Sequence, residues 1–340
     1  MFEYFVRRFL ALFVTLFGIT LIGFVIINLA PGGPIEQKLQ QMRFGVGGGE
    51  SSAHSMAVTQ EVIDELKRQY GFDKPLLTRY GIWLKNLASF DFGKSFYFEE
   101  PVTQVILRKI PVSLQFGVAT FLLSYLICVP LGIFKAVRHG TPADSASSAM
   151  LFVAYSVPSF MLAILLIVLF GGGSFFSWFP IAGVSSDNYE SLSFFGKVGD
   201  RLHHFVLPLT CYVIGHFASL TLLMKNSVLE EIKKDYVRTA RAKGLREKWV
   251  VYKHVLRNAL IPIATGLGHF LSVFFAGSLL IETIFSIDGM GLLSFQAILS
   301  RDYNVVMGLL VMESFLFLLG NILSDLLYVV VDPRVDFHAV

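Results

Sequence analysis

Residues 235–262 read DYVRTARAKGLREKWVVYKHVLRNALIP, a basic, soluble-looking segment that stands between two long apolar runs. A membrane chain needs such a segment only where it must contact something in the aqueous phase. Gly244 divides the segment, because glycine readily adopts the left-handed conformation that ends a helix. We therefore predict one helix over residues 228–243 and a second that starts at Glu247 and runs into the next apolar stretch, with Pro262 near the start of that stretch.

The composition of the chain is that of a membrane protein. Hydrophobic residues make up 54% of the 340 residues, 33 of them are Phe, and the mean hydropathy is +0.63. This is more apolar surface than a soluble core of that size could bury. A helix needs about 20 apolar residues to cross roughly 30 Å of hydrocarbon. The sequence predicts an all-α integral membrane protein with six transmembrane helices, near residues 9–29, 112–134, 148–170, 204–224, 258–281 and 304–331.

The distribution of Lys and Arg predicts the orientation. With the N-terminus in the cytoplasm, fifteen of these residues fall in inside segments and three in the short outside loops. Short loops rich in Lys and Arg stay inside, so both termini are predicted to be cytoplasmic in an inner (plasma) membrane protein. The first apolar run is interpreted as an uncleaved span, since no small-residue cleavage site clearly follows it. A net charge of +3 gives no argument for a nucleic-acid partner.

Three regions are predicted along the chain. Residues 1–29 form the N-terminal tail and first transmembrane helix, residues 30–111 a periplasmic loop or cap region, and residues 112–340 a core with the other five helices. The cap region contains two amphipathic patterns, over residues 58–70 and 76–87, which predict helices rather than a loose tail. A cytoplasmic loop between helices four and five, residues 225–257, contains the basic segment described first.

The sequence carries no constellation typical of an enzyme. Ala88 stands where a Walker A loop needs its first Gly, ahead of Gly93, Lys94 and Ser95, and no strand pattern precedes it, so nucleotide binding is not predicted there. No His or Cys pair has metal-ligand spacing. We predict a non-enzymatic chain with no cofactor and no metal, in which any ATP hydrolysis belongs to a partner protein.

Several short motifs occur in a fixed order along nearly the whole chain. They are RRFL at residues 7–10, LAPG at 29–32, YGFDKPL at 70–76, DFGKS at 91–95, SVPSF at 156–160, FPIAG at 179–183, DYVRTARAKGL at 235–245, HVLRNALIPI at 254–263, GSLLIETIF at 277–285, RDY at 301–303 and DPR at 332–334. In this order the chain resembles the permeases of binding-protein-dependent ABC importers, and more narrowly the dipeptide/oligopeptide permease family and its microcin C (Yej-type) branch. It departs from the broad superfamily at Arg238, where the usual motif has Glu.

The resemblance implies a set of partners. They are a second homologous permease, cytoplasmic ATP-binding subunits that receive the coupling helix, a periplasmic solute-binding protein, membrane lipid and a peptide substrate, with oligopeptides or microcin C-like conjugates expected. The residues expected to couple this chain to the ATPases are Asp235, Tyr236, Thr239, Ala240, Lys243 and Gly244.

Charged and imidazole side chains inside spans mark candidates for the translocation path. Charges in a membrane face the protein interior or a water-filled path, because exposure to lipid costs several kcal/mol. The candidates are Glu282, Glu313, His216 and His269. Two alternatives stay open at this point. Each residue could instead make a structural hydrogen bond between helices, and the whole chain could be an ion-gradient-driven transporter or channel that needs no ATPase.

Overall fold

A computed structural model describes residues 2–33, 35–36, 64–65, 68, 72–173, 175–266 and 277–331 of the chain. Almost all of the regular structure in these residues is helical. Several predictions fall wholly or partly outside them, among them the cap region at residues 30–111, the helix at residues 58–70, the middle of the fifth span, His269 and the DPR motif.

Four helices among the described residues are long and apolar enough to cross a membrane. They are α1 (Phe2–Leu29), α3 (Val102–Val137), α6 (Phe194–Ile232) and α13 (Tyr303–Val331). Each contains one of the predicted spans and extends beyond it at one end or both. The amphipathic pattern of the cap region forms α2 (Leu76–Leu87), as predicted.

The predicted third span is broken. It forms α4 (Pro142–Ser156) and α5 (Ser159–Phe170), which are bent by 94° relative to each other. The break lies at Val157 and Pro158. Proline disfavours the helical conformation for the residue before it, and Val157 is accordingly extended, with φ −89° and ψ 118°. Counted as one span, this pair raises the number of candidate spans to five.

The basic segment is helical in several pieces. It forms α7 (Asp235–Ala242), α8 (Glu247–Trp249), a π-helical stretch (Val250–Val255), α9 (Leu256–Ala259) and α10 (Ile261–Thr265). The continuous helix predicted over residues 228–243 is wrong, because α6 ends at Ile232 and Lys234 is extended, with φ −72° and ψ 151°. The fifth span is described only at its two ends, and after its gap α11 (Leu279–Ile284) and α12 (Met290–Leu299) precede α13.

The chain divides into two compact units. The unit called here the cap unit contains Leu10–Ile110 and Leu293–Phe315. In it, α2 packs against α1 through Tyr80, whose hydroxyl lies 3.0 Å from the hydroxyl of Thr20 and whose ring lies 5.3 Å from that of Phe24. The buried carboxylate of Asp302 accepts a 2.5 Å hydrogen bond from Ser95, which ties the DFGKS motif to the RDY motif.

The second unit, called here the core unit, contains Met1–Phe9, Pro111–Leu292 and Leu316–Val340. Two apolar clusters lie among its described residues. One surrounds Phe116, Cys211 and Phe285. The other surrounds Met224 and Val228 near the end of α6 and includes residues of α7, the π-helical stretch and α9, so it anchors the basic segment to a membrane helix. The two cysteines, Cys128 and Cys211, are buried and free.

Candidate functional site

The helix α7 has one buried side and one exposed side. Val237 and Ala240 are buried, at 0% and 5% exposure, in the apolar cluster with Val228 of α6 and Val250 of the π-helical stretch. Around them Asp235, Arg238, Thr239 and Lys243 are exposed. A helix packed in this way is fixed to its own chain and still presents a polar surface.

The six predicted coupling residues therefore differ in their exposure. Ala240 is part of the packing, while Asp235, Thr239, Lys243 and Gly244 are exposed and Tyr236 is 37% exposed. Gly244 has φ +76°, and nothing lies within 4 Å of the position that a Cβ would take. The glycine is required by its backbone conformation and not by space, as the sequence predicted.

A polar network that the sequence did not predict joins α6, α7 and α9. The carboxylate of Glu231, only 8% exposed, accepts hydrogen bonds from the ammonium of Lys234 and the hydroxyl of Tyr236. The Tyr236 hydroxyl in turn accepts from the Asn258 amide at 3.0 Å. Glu231 and Lys234 stand three residues apart, a spacing that favours contact on a helix, so the sequence contains a signal for this pair. The contact with Tyr236 depends on the break between α6 and α7, which the pattern did not reveal.

The turn after α7 is closed by an ion pair. Nε and Nη2 of Arg241 donate to the carboxylate of Glu247 at 3.0 and 2.6 Å. The hydrogen bond from the Arg241 guanidinium holds the pKa of Glu247 below its ordinary value, against a smaller opposing effect of burial. Beyond the turn, Leu245, Trp249 and Tyr252 are 41%, 59% and 56% exposed, so large apolar side chains stand beside the polar face of α7.

A buried ion cluster, called here the Asp144 cluster, lies elsewhere in the core unit. Both carboxylate oxygens of Asp144 accept from the ammonium of Lys225 at 2.8 Å. The ammonium of Lys135, a side chain with 0% exposure, lies 3.0 Å from Oδ1, and Nδ1 of His139 lies 3.2 Å from Oδ2. Because Lys225 belongs to α6, seven residues before its end, the cluster ties α3 and α4 to the helix that leads into the basic segment.

Glu282 lies at the centre of a second network, called here the Glu282 cluster. The carboxylate is fully buried, and Oε1 accepts from the hydroxyls of Ser113 at 2.9 Å and Tyr212 at 3.2 Å. Oε2 accepts from the backbone N–H of Leu292 at 3.0 Å. The Ser113 hydroxyl itself accepts from the N–H of Met290 at 2.7 Å. These contacts place Glu282 in the packing between α3, α6, α11 and α12.

Glycines leave room for this carboxylate. A Cβ on Gly289 would lie 2.5 Å from the hydroxyl oxygen of Ser113 and 2.6 Å from Oε2 of Glu282. Gly277 has φ +65°, and a Cβ there would also meet Glu282. The GSLLIETIF motif therefore supplies both the acid and one of the glycines that surround it.

The other predicted path residues do not join this cluster among the described contacts. His216 lies one turn along α6 from Tyr212, is exposed, and forms no hydrogen bond with Glu282 in the described part of the chain. Glu313 is half-buried in α13, and within the described ranges it makes neither a hydrogen bond nor an ion pair. His269 lies outside the described residues. Residues 2–33, 72–173, 175–266 and 277–331 hold no group of three His, Cys, Asp or Glu side chains that could bind a metal ion.

Comparison with known proteins identifies the family. The sequence profile of the binding-protein-dependent transport system inner membrane component matches residues 128–337. Two relatives are 44% identical to this chain over 98% of its length: the peptidoglycan transport system permease protein YejB of Agrobacterium fabrum and the inner membrane ABC transporter permease protein YejB of Escherichia coli, covered over 98% and 99% of their own lengths. The oligopeptide transport system permease protein AppB of Bacillus subtilis is 32% identical over 98% of this chain and 99% of its own.

A solved structure shares the fold. The MetNI methionine ABC transporter in an inward-facing conformation contains a chain that aligns with a TM-score of 0.51 and 18% sequence identity, covering 68% of this chain and 97% of that one. The resemblance stated from the motifs is thus confirmed over the full length, including its Yej-type branch. The chain belongs to the inner membrane components of binding-protein-dependent transport systems and is a permease subunit of an ABC importer.

Proposed function

We propose that this permease carries peptides or peptide conjugates inward and that residues 235–262, called here the coupling segment, transmit movement from partner ATPases to the membrane helices. In this proposal a second homologous permease forms the other half of the path. A solute-binding protein delivers the substrate at the outer surface, and both termini of this chain lie in the cytoplasm. Membership of an importer family favours this nucleotide-driven mechanism over the gradient-driven alternative.

The observation that carries the proposal is the two-sided packing of α7. Val237 and Ala240 bind it to the end of α6, and the Glu231, Tyr236 and Asn258 network binds it to α9. A push on α7 would therefore be transmitted to α6 and α9 as a rigid movement. Its other side offers Asp235, Thr239 and Lys243 with no described segment of this chain covering them, together with the exposed apolar residues after the turn.

The composition of that surface supports a protein partner over lipid headgroups. A helix that lies in a membrane surface presents one large apolar face to the lipid. The exposed side of α7 has small and charged residues instead, with Leu245, Trp249 and Tyr252 grouped beyond the turn. Exposed aromatic anchors beside polar residues are typical of protein interfaces.

The substrate class is inferred from relatives. The names of the proteins that are 44% and 32% identical refer to peptidoglycan transport and oligopeptide transport. Both substrates contain short peptides, so a peptide is the chemistry they share. Labelled oligopeptides, a peptidoglycan-derived muropeptide and free amino acids should be compared as uptake substrates. Uptake of free amino acids alone would contradict the peptide proposal and leave the coupling proposal standing.

The coupling role is tested by Gly244→Val. Gly244 has φ +76°, which a β-branched residue tolerates poorly, so the substitution should misdirect the segment that follows. Gly173→Val is the matched control, because Gly173 has φ +71° and equally open space but lies in the loop after α5. We expect Gly244→Val to abolish uptake and substrate-stimulated ATPase activity in the purified complex while the protein still inserts, and Gly173→Val to retain both.

Cross-linking tests the contact itself. Thr239→Cys should cross-link to a cysteine introduced in the facing surface of the ATP-binding subunit, whereas Val237→Cys, buried under the same helix, should not. The native cysteines are buried and provide a low background. Normal uptake by Gly244→Val together with an unreactive Thr239→Cys would exclude α7 as the coupling element.

A further inference from the structure

The cap unit contains a cavity that lies outside the coupling segment and the two buried carboxylate clusters. It has a volume of about 570 Å³ and lies beside the last turns of α1, between that helix, α2 and the start of α13. Eight of its lining residues carry polar groups: two cations, one carboxylate and five neutral groups. They are Arg79, Lys94, Glu99, Asn28, Trp83, Ser95, Tyr303 and Asn304.

Two of the neutral groups are buried without a partner. The Asn28 amide donates from Nδ2 to the carbonyl of Phe24 at 2.8 Å, which leaves Oδ1 as a buried acceptor with no partner in the described part of the chain. Trp83 Nε1 is a buried donor that likewise has no partner among the described residues. The Trp83 ring packs against Tyr80 and Phe24, with ring centroids 5.9 and 6.2 Å away. Buried polar groups are normally hydrogen-bonded, so one unpaired donor and one unpaired acceptor in one cavity indicate a ligand with both functions.

The two cations are positioned and lack a carboxylate partner. The Arg79 guanidinium lies 3.9 Å from the centroid of the Phe72 ring. The backbone carbonyl of Lys94 accepts from the Asn304 amide at 2.7 Å, and the next residue, Ser95, is tied to Asp302. Neither cation forms an ion pair with any carboxylate that the structure describes. A fixed guanidinium and an ammonium in one cavity are suited to a phosphate, while Asn28 Oδ1 and Glu99 are suited to an ammonium group.

The position of the cavity favours a lipid over a water-soluble ligand. α1 ends at Leu29, so Asn28 lies at the membrane interface, and Trp83 and Tyr303 are residues that accumulate at that depth. Only 17% of the most apolar stretch of α1 is buried within this chain, less than in the other candidate spans, so most of its surface is left uncovered by the described residues. A second, apolar cavity of about 730 Å³ lies deeper along the same helices, lined by residues that include Leu84 and Phe17.

From this geometry we infer that the cap unit holds a phospholipid whose headgroup carries both a phosphate and a primary ammonium, as in phosphatidylethanolamine. The phosphate accepts hydrogen bonds from Arg79, Lys94 and the Trp83 indole. The ammonium donates to Asn28 Oδ1 and to Glu99. The deeper apolar cavity has the lining that an acyl chain requires.

The inference is tested by native mass spectrometry of the purified, delipidated importer complex. Phosphatidylethanolamine, phosphatidylcholine and phosphatidylglycerol are titrated separately, with glycerophosphoethanolamine as the headgroup without acyl chains. We expect phosphatidylethanolamine to bind about tenfold more tightly than phosphatidylcholine, whose methylated amine cannot donate a hydrogen bond, which corresponds to about 1.4 kcal/mol.

Substitutions separate the two halves of the site. Asn28→Leu should reduce binding of phosphatidylethanolamine to the level of phosphatidylcholine without changing the latter. Arg79→Gln with Lys94→Gln should weaken every phospholipid. Trp83→Phe keeps an aromatic ring, although a smaller one, and loses the donor, so it provides a mild variant if the double replacement fails to fold. Lys85→Gln, an exposed cation on the same helix, should change nothing.

Three results would overturn the inference. Equal binding of phosphatidylethanolamine and phosphatidylcholine to the unchanged protein would exclude recognition of the ammonium. Binding of glycerophosphoethanolamine as tight as that of the lipid would identify a soluble phosphate and amine compound as the ligand. Displacement of the lipid by a zwitterionic tripeptide would identify a peptide site.

Discussion

The two buried carboxylates of the core unit, Asp144 and Glu282, are satisfied in opposite ways. Asp144 contacts charged groups, with two lysine ammonium groups within 3.0 Å and His139 at 3.2 Å. Glu282 contacts only neutral donors, namely hydroxyls and backbone N–H groups. One cluster therefore depends on compensated charge, and the other depends on the shape of a hydrogen-bonded packing site.

This difference matches where the clusters lie along the chain. The Asp144 cluster includes Lys225, which lies on α6 close to the coupling segment. It also includes Lys135 at the end of α3 and Asp144 at the start of α4. The Glu282 cluster joins short helices and glycine turns, where a Cβ on Gly289 has no space. If Asp144 loses its charge, the lysines remain buried beside it. If Glu282 loses its charge, its neighbours lose one acceptor.

The largest effect is expected from Asp144→Asn. The substitution keeps the size of the side chain but leaves Lys135 as an uncompensated buried cation, whose remaining contacts are the hydroxyls of Ser147 and Ser148 at 2.8 and 2.7 Å and a carbonyl. Removing one partner of a buried ion pair costs about 3–5 kcal/mol. We expect a marked loss of monodisperse protein after heating in detergent, measured by size-exclusion chromatography.

Two variants control that experiment. Asp187→Asn changes an exposed acid in the same unit and should leave thermal stability unchanged. Lys225→Met removes the surplus cation and leaves the buried pair of Lys135 and Asp144, so its loss should be smaller than that of Asp144→Asn. Equal losses for Asp144→Asn and Lys225→Met would show that charge balance does not govern this cluster.

A smaller effect is expected from Glu282→Gln. The amide fits the same space and keeps one acceptor oxygen, but its NH₂ group faces the Leu292 N–H or the hydroxyl donors of Ser113 and Tyr212. A single unsatisfied buried donor costs about 1–3 kcal/mol. Thermal stability, measured as above, should fall less than for Asp144→Asn.

The same measurement on Glu282→Leu sharpens the comparison. Leucine removes both acceptor oxygens, so this variant should lose more stability than Glu282→Gln. Glu190→Gln, with a side chain 89% exposed in the pair with Lys197, is the control and should behave as the unchanged protein. If Glu282→Gln proved as damaging as Asp144→Asn, the charge of Glu282 would matter as much as its shape.

The sequence predicted the parts of the fold that depend on hydropathy. The long apolar runs became α1, α3, α6 and α13, and the amphipathic pattern became α2. The bend at Val157 was not predicted, although Pro158 was a visible signal, because an apolar run of sufficient length was counted as one span. The break at residues 233–234 contains no proline or glycine, so only tertiary packing around Val237 could reveal it.

The buried networks show a second limit of the sequence. Glu282 was recognised as an intramembrane acid, but its partners Ser113 and Tyr212 lie 169 and 70 residues away along the chain. The same holds for Asp144 and Lys225, which are 81 residues apart. Local spacing carries no information about such pairs. The roles of Glu282, Glu313, His216 and His269 in the translocation path stay predictions.

The smallest effect is expected at the exposed pair of Arg241 and Glu247. This pair extends the comparison from the two buried clusters to charges on the surface. The hydrogen bond from Arg241 lowers the pKa of Glu247, so the pair stabilises the turn above the ordinary pKa of Glu247, 4.5, and loses this contribution as pH falls through the lowered value. The side chains are 40% and 56% exposed, and such pairs contribute less than about 1 kcal/mol. Glu247→Gln should therefore leave the complex as stable as the unchanged protein at neutral pH, and raised salt should remove any residual difference. A loss comparable to that of Glu282→Gln would mean that the turn is covered in the assembled importer, because only exclusion of water would give this pair the weight of a buried one.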